Sequence, residues 1–206
     1  FDEKIKKQII NKKFALIKMD KYVDVIIPRG GRSLIERVSD ESRVHVFKHL
    51  DGICHTYIHQ SADKEISKKV TLNAKMRRPG ICGAVETILV HSDIADTFMP
   101  SLVNALSSHA CEVRGCENAQ KYHQNIIPAV DKDWSTEYLD AIVSIKVVNS
   151  LEDAINHINV YSSGHTDAII TESSNSAKKF LNTVNSAIVM HNTSTQFADG
   201  AEFGLG

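Results

Sequence analysis

Residues 141–190 read AIVSIKVVNS LEDAINHINV YSSGHTDAII TESSNSAKKF LNTVNSAIVM, and the order of elements in this stretch decides the fold class. The run 141–148 is apolar, β-branched and short, which is the pattern of a buried strand. Leu151, Ala154, Ile155 and Ile158 then recur at helical spacing. A second strand run at 167–171 follows, then a helical segment at 173–184, then a third strand at 187–190. Strands separated by helices imply parallel pairs joined by crossovers. The expected class is an open α/β sheet.

The same rhythm extends toward the N-terminus. A helix is expected over 3–19, with Ile5, Ile9 and Ile10 near one face and lysines opposite. The run 23–27, stopped by Pro28, reads as a buried strand, and Ser33 with Glu36 fits a capping box opening a helix at 33–38. Strands are expected at 44–47 and 53–58. Ala62, Ile66, Val70 and Ala74 recur every four residues as a helical stripe ending near Lys75. Arg77, Arg78, Pro79 and Gly80 break that helix, Cys82 follows the break, and 86–90 reads as a strand. Ile94, Phe98, Leu102 and Leu106 mark another amphipathic helix. Residues 109–140, with the single Trp, are less regular. There is no internal repeat and no low-complexity segment.

Composition narrows the function classes. The chain has 206 residues, 24 Lys plus Arg against 25 Asp plus Glu, and a net charge of -1. That balance argues against nucleic acid or an anionic membrane as the main partner. No run approaches the roughly 18 apolar residues of a membrane span. The opening residues contain no apolar signal region, and the absence of an initial Met suggests a chain that is trimmed or begins mid-protein. Cys54, Cys82, Cys111 and Cys116 form no CxxC pair, which suggests free thiols and a cytoplasmic setting.

Two places invite chemistry. Arg29, Gly30 and Gly31, with Arg32, leave a strand and enter a helix. They read either as a tight turn or as an anion cradle of backbone N–H groups. Cys82 reads either as a small buried residue or as a nucleophile whose thiol is made more acidic by Arg77 and Arg78. Cys54 and His55 are neighbours on a strand and point to opposite faces, so they make no dyad. His55 and His59 share a face, but no third ligand has metal spacing, so no metal is expected. Cys111 and Cys116 read as packing residues near a turn.

A series of motifs then resembles one family in order. Tyr22 to Gly31 (YVDVIIPRGG), Asp51 to Tyr57 (DGICHTY), Asn73-Ala74-Lys75, Arg78-Pro79, Cys82 and Ala84 to Val90 (AVETILV) are similar to successive signatures of the γ-glutamyl phosphate reductases. So are Gly164 to Ile169 (GHTDAI), Asn192, Ser194-Thr195 and Phe203 to Gly206 (FGLG). The resemblance implies an aldehyde dehydrogenase-like catalytic domain at 61–195, a remnant of the Rossmann-type cofactor domain at 1–60, and the start of a return segment at 196–206.

It also implies NADPH-dependent reduction of L-glutamyl 5-phosphate to L-glutamate 5-semialdehyde, in proline biosynthesis, through a thioester on Cys82. Arg29, Gly30 and Gly31 would then lie at the cofactor, and Asn192, Ser194 and Thr195 at the substrate. Gly83 stands where the family has Asn, and Gln196 where it has Arg, which removes a cation suited to the substrate. The chain looks like a truncated member. The alternatives are a non-catalytic remnant, or a module completed by a separately encoded front half; a homo-oligomer is also compatible.

Overall fold

The computed structural model describes residues 15–48 and 50–204. The helix expected at 3–19 lies mostly outside the described residues, as do the side chain of Arg32 and the last two residues of the glycine-rich end. The chain divides into two units, 1–50 and 51–206.

In the first unit, strand β1 (Val25–Ile26), helix α1 (Arg32–Glu41) and strand β2 (His45–Val46) form one crossover, with β1 parallel to β2. Ile35, Val38 and Val44 are buried. The strand expected as buried at 23–27 pairs over two residues only, and Ile27 is 73% exposed. Two short strands and one helix cannot cover both faces of a sheet. The expected capping box is not the helix start: Gly31 is the N-cap, without a side-chain cap, and Ser33 lies inside the helix.

The second unit is built on seven parallel strands. They are β3 (Cys54–Ile58), β4 (Val85–His91), β5 (Glu112–Gly115), β6 (Ile127–Pro128), β7 (Ile142–Val148), β8 (Thr166–Ile170) and β9 (Ile188–His191), in the order β6-β5-β7-β4-β3-β8-β9. Every pairing is parallel. The strand Cys54–Ile58, which the sequence reading grouped with the first sixty residues, runs near the middle of this sheet.

Helices α2 (Lys64–Met76) and α3 (Ser92–Ser108) pack on one face, against Ile58, Ile88, Val90 and Ile145. A short helix α4 (Glu117–Gln120) follows β5. Helices α5 (Leu151–Tyr161) and α6 (Ser174–Thr183) pack on the other face, against Tyr57, Leu89, Val148 and Ile169. The two-residue period of the strands sorts the apolar side chains into these two cores. The helices open on side-chain caps: Asp63 for α2, Ser150 for α5 and Ser173 for α6.

The expected stripe holds in part: Ala62 and Ala74 are buried and Val70 packs on the core, but α2 also buries polar residues outside it. Ile66 is 44% exposed, whereas Ser67, Thr71, Ala74 and Lys75 are buried. Lys75 donates from Nζ to Glu86 Oε2 at 2.6 Å, and both side chains are fully buried. Burial pushes the Glu86 carboxyl up to about 7 against the pull of Lys75. The pair joins the end of α2 to the start of β4 and closes the ends of the intervening loop.

A buried charge left without its partner destabilises more than the intact pair stabilises. Lys75→Met is therefore expected to lower unfolding free energy by about 3–5 kcal/mol in urea titrations. Lys75→Met/Glu86→Met is expected to recover most of that loss. A double variant no more stable than the single one would contradict this assignment.

Candidate active site

The loop joining α2 to β4, residues 77–84, carries Cys82 at the N-terminal end of the sheet. Its position is set by backbone contacts. A Cβ built on Gly52 would lie 2.2 Å from the Cys82 carbonyl oxygen and 2.6 Å from its Cα, so only glycine permits this approach. The Gly52 N–H donates to Glu137 Oε1 at 2.8 Å, and the Cys54 thiol donates to the Cys82 carbonyl at 3.2 Å. Thr195 Oγ1 donates to the Gly83 carbonyl at 2.7 Å. Gly83 itself has no spare room, because a Cβ there would meet the Thr195 carbonyl oxygen at 3.2 Å.

Gln196 completes the support. Its side-chain amide is buried and donates to the carbonyls of Ala74 and Arg78, at 2.8 and 3.3 Å, holding the C-terminal end of α2. The Gln196 side chain is thus turned into the protein.

Cys82 is half-buried and free. Burial pushes its thiol above the usual range, and Glu137 and then Asp199 add to the rise; the N–H groups of Cys82 and Gly83 act the other way. The expected acidification by Arg77 and Arg78 is not found. Arg77 lies over the Phe197 ring at 5.2 Å and pairs with Glu202 at 3.5 Å.

The other expected site residues fall in different places. Thr195 reaches the Cys82 loop, and Ser194 is buried as the cap of a short 3₁₀ turn, Thr195–Phe197, accepting from the Gln196 N–H at 3.3 Å. Asn192 lies at the C-terminal end of β9, the far end of the sheet from Cys82. Its side-chain oxygen accepts from the Thr171 N–H at 2.9 Å and its side-chain nitrogen donates to the Thr171 carbonyl at 3.1 Å. Asn192 takes φ +54, a left-handed conformation that Asn tolerates.

Arg29, Gly30 and Gly31 form the β1–α1 turn of the first unit. Gly30 has φ +154, a Cβ on it would strike Leu34 at 2.7 Å, and a Cβ on Gly31 would meet nothing. Cys54 and His55 point to opposite faces. Cys54 faces Cys82, and His55 Nδ1 lies 3.1 Å from the fully buried Asp167 carboxylate.

Gly52 and Glu137 were not singled out as site residues from sequence. The need for Gly at 52 comes from a chain segment thirty residues away, and Glu137 sits in an irregular stretch. No group of three His, Cys, Asp or Glu side chains with metal-binding geometry occurs among the described residues.

Comparisons with known proteins agree on one family. Residues 125–204 match the model of the aldehyde dehydrogenase family. The chain is 57% identical over 191 residues to the gamma-glutamyl phosphate reductase of Rhodospirillum rubrum, covering 93% of this chain and 45% of that protein. It is 56% identical over 192 residues to that of Paramagnetospirillum magneticum, again covering 93% of this chain and 45% of that protein. The crystal structure of gamma-glutamyl phosphate reductase from Thermotoga maritima superposes with a TM-score of 0.90 at 44% identity, covering 93% of this chain and 46% of that one. The chain spans a little under half the length of these relatives. By ordered motifs, identity and fold, the chain belongs to the γ-glutamyl phosphate reductase family, with an aldehyde dehydrogenase-like fold.

Proposed function

We propose that this chain is the cysteine-bearing part of an NADPH-dependent oxidoreductase that converts L-glutamyl 5-phosphate to L-glutamate 5-semialdehyde in proline biosynthesis, in the cytoplasm. The observation that carries the reading is the construction around Cys82: a half-buried free thiol on a loop pinned by Gly52, Cys54 and Thr195.

In the first step the Cys82 sulfur attacks the acyl carbon. The S–C bond forms, the C–O bond to phosphorus breaks, inorganic phosphate leaves, and the thiol proton passes to solvent. A thioester on Cys82 remains. The N–H groups of Cys82 and Gly83 lie close enough to the sulfur to affect its proton affinity, which makes them the natural donors to an acyl oxygen attached there.

The β1–α1 turn suits a phosphate of the cofactor. Gly30 and Gly31 leave the backbone open before a ten-residue helix with no acid in its first turn, and Arg29 adds charge. NADPH, when bound, supplies the hydride that the thioester accepts. Ser194 and Thr195 support the substrate side by holding the loop. Asn192 would act there from a distance, as a brace between β8 and β9.

A second reading is favoured by a specific observation. Tyr22, Ile27 and Phe47 of the first unit are 81%, 73% and 68% exposed, an apolar surface of the kind that a further segment would cover. The relatives are about twice as long, and one crossover supplies only part of a dinucleotide site. A separately supplied front half would then complete the enzyme.

The reverse reaction separates these readings. Glutamate 5-semialdehyde, NADP and phosphate are mixed with the purified chain, and NADPH absorbance is followed. Turnover lost in Cys82→Ser supports the first reading. Turnover that appears only after the N-terminal portion of a relative is added supports the second. No turnover in either mixture, from a chain shown by circular dichroism to be folded, would sink both.

The raised thiol sets the pH dependence. Thiolate is the reactive form, and its fraction rises about tenfold per pH unit below the pKa. Alkylation of Cys82 by iodoacetamide, read by peptide mass spectrometry, should therefore still be accelerating at pH 9.0, the ordinary thiol value. A plateau near neutral pH would contradict the raised pKa.

A further inference from the structure

The end of the sheet opposite Cys82 carries a cavity. The C-terminal ends of β3, β4 and β7 open onto a cavity of about 440 Å³, whose lining is mainly polar and includes His59, His91, Glu152, Asn175, Ser176 and Lys179. Cys82 precedes the opposite, N-terminal end of β4. The helices that follow β4 and β7, which are neighbours in the sheet, leave on opposite faces. Such a divergence makes a crevice beyond the strand ends, where open α/β sheets receive ligands.

Besides α3, which His91 caps, two helix N-termini reach this crevice. Both helices are long enough to carry a useful dipole, α5 with eleven residues and α6 with ten. The first turn of α6 contains no acid, whereas that of α5 contains Glu152 and Asp153.

His91 supplies an independent pointer to a ligand. It is only 5% exposed and lines the cavity. Its Nδ1 accepts the Asp93 N–H at 3.1 Å, which leaves the proton of the neutral ring on Nε2. That Nε2–H has no hydrogen-bond partner among the described residues. The ring is nearly buried, but Nε2 itself is not sealed from solvent, so this donor is open to an acceptor in the cavity. The neighbouring ring, His59, is already engaged: its Nδ1 lies 2.9 Å from Ser61 Oγ and its Nε2 lies 3.3 Å from Ser176 Oγ. Lys179 pairs with Glu152, with both side chains about half exposed. An exposed pair of this kind contributes little, so the ammonium can take a second acceptor.

We propose that this cavity binds a small oxyanion, a phosphate or a carboxylate, held by His91 Nε2–H, the Lys179 ammonium and the Asn175 N–H in the first turn of α6, where the Ser176 N–H is already taken by Ser173 Oγ at 3.3 Å. The carboxylates around it set its limits. Glu152 competes for Lys179, Asp153 accepts the Asn149 N–H at 3.3 Å, and Asp93 lies exposed beside His91 at 3.8 Å. They place the anion on the α6 side and keep affinity modest. The site stands apart from Cys82 and does not depend on the proposed chemistry.

The test uses inorganic phosphate and acetate as probes on the whole chain. Calorimetry measures affinity, and NMR follows the His91 ring nitrogens and the Asn175 and Ser176 amides. Saturable shifts at these three residues are expected. Tighter binding of phosphate identifies a phosphate ligand, and tighter binding of acetate a carboxylate.

His91→Asn keeps a side chain able to cap α3 but withdraws the Nε2–H, so it should weaken binding about tenfold with the melting temperature little changed. Lys179→Met should weaken it about fivefold, and Lys68→Met, a lysine on α2, should leave it unchanged. Shifts that fail to saturate, shifts confined to Cys82 and Gly83, or equal affinity in His91→Asn would overturn the proposal.

Discussion

Gly52 and Cys82 meet backbone to backbone, at a separation that admits no side chain on Gly52, and the geometry of the cysteine loop follows from that contact. A Cβ within 2.2 Å of a carbonyl oxygen cannot be relieved by rotating a side chain, because both groups belong to the main chain. The contact brings the start of β3 against the end of the loop. Cys54, two residues further along β3, then reaches the Cys82 carbonyl, and Glu137 receives the Gly52 N–H. Thr195 and Gln196 close the other side. Beneath them, Lys75 and Glu86 tie the two ends of the loop together inside the core. Under the proposed function, a thiol held in this way would lose little freedom on meeting a substrate, which is the condition for effective attack.

The electrostatics of the loop work against a resting thiolate. The charge acting most strongly on Cys82 is the Glu137 carboxylate, and Arg77 is drawn elsewhere by Phe197 and Glu202. Proximity in sequence says little about the field at a side chain when a helix end and a loop separate the two. The thiol is then expected to act as a nucleophile that is deprotonated as it attacks, with the main-chain N–H groups ready for the charge that develops.

Much of the fold was legible in the sequence because its strands and helices carry strong, regular apolar periods. The stretch 141–190 gives β7, β8, α6 and β9 within a residue of their observed limits, and the start of α5. Where the period is short or mixed with charge, legibility fails. β5 reads Glu-Val-Arg-Gly and β6 has two residues, and both lay hidden in a segment that looked irregular. The buried face of α2 was read only in part, through Val70 and Ala74, because the rest is polar: Ser67, Thr71 and Lys75 turn inward, and a lysine is read as exposed unless its partner is known. For the candidate site, Cys82 and Thr195 could be named from the ordered motifs. Gly52, Glu137 and the inward turn of Gln196 are consequences of contacts between distant segments, which no local pattern records.

The central claim is that Cys82 accepts an acyl group from an acyl phosphate, and it can be tested without any cofactor. The chain is mixed with freshly made L-glutamyl 5-phosphate, quenched in acid, and examined by intact and peptide mass spectrometry while released phosphate is assayed. One glutamyl group attached to Cys82, phosphate released in equal amount, and no adduct in Cys82→Ser are expected. An adduct on Cys54 or Cys111 instead, or a folded chain that remains unmodified, would contradict the claim.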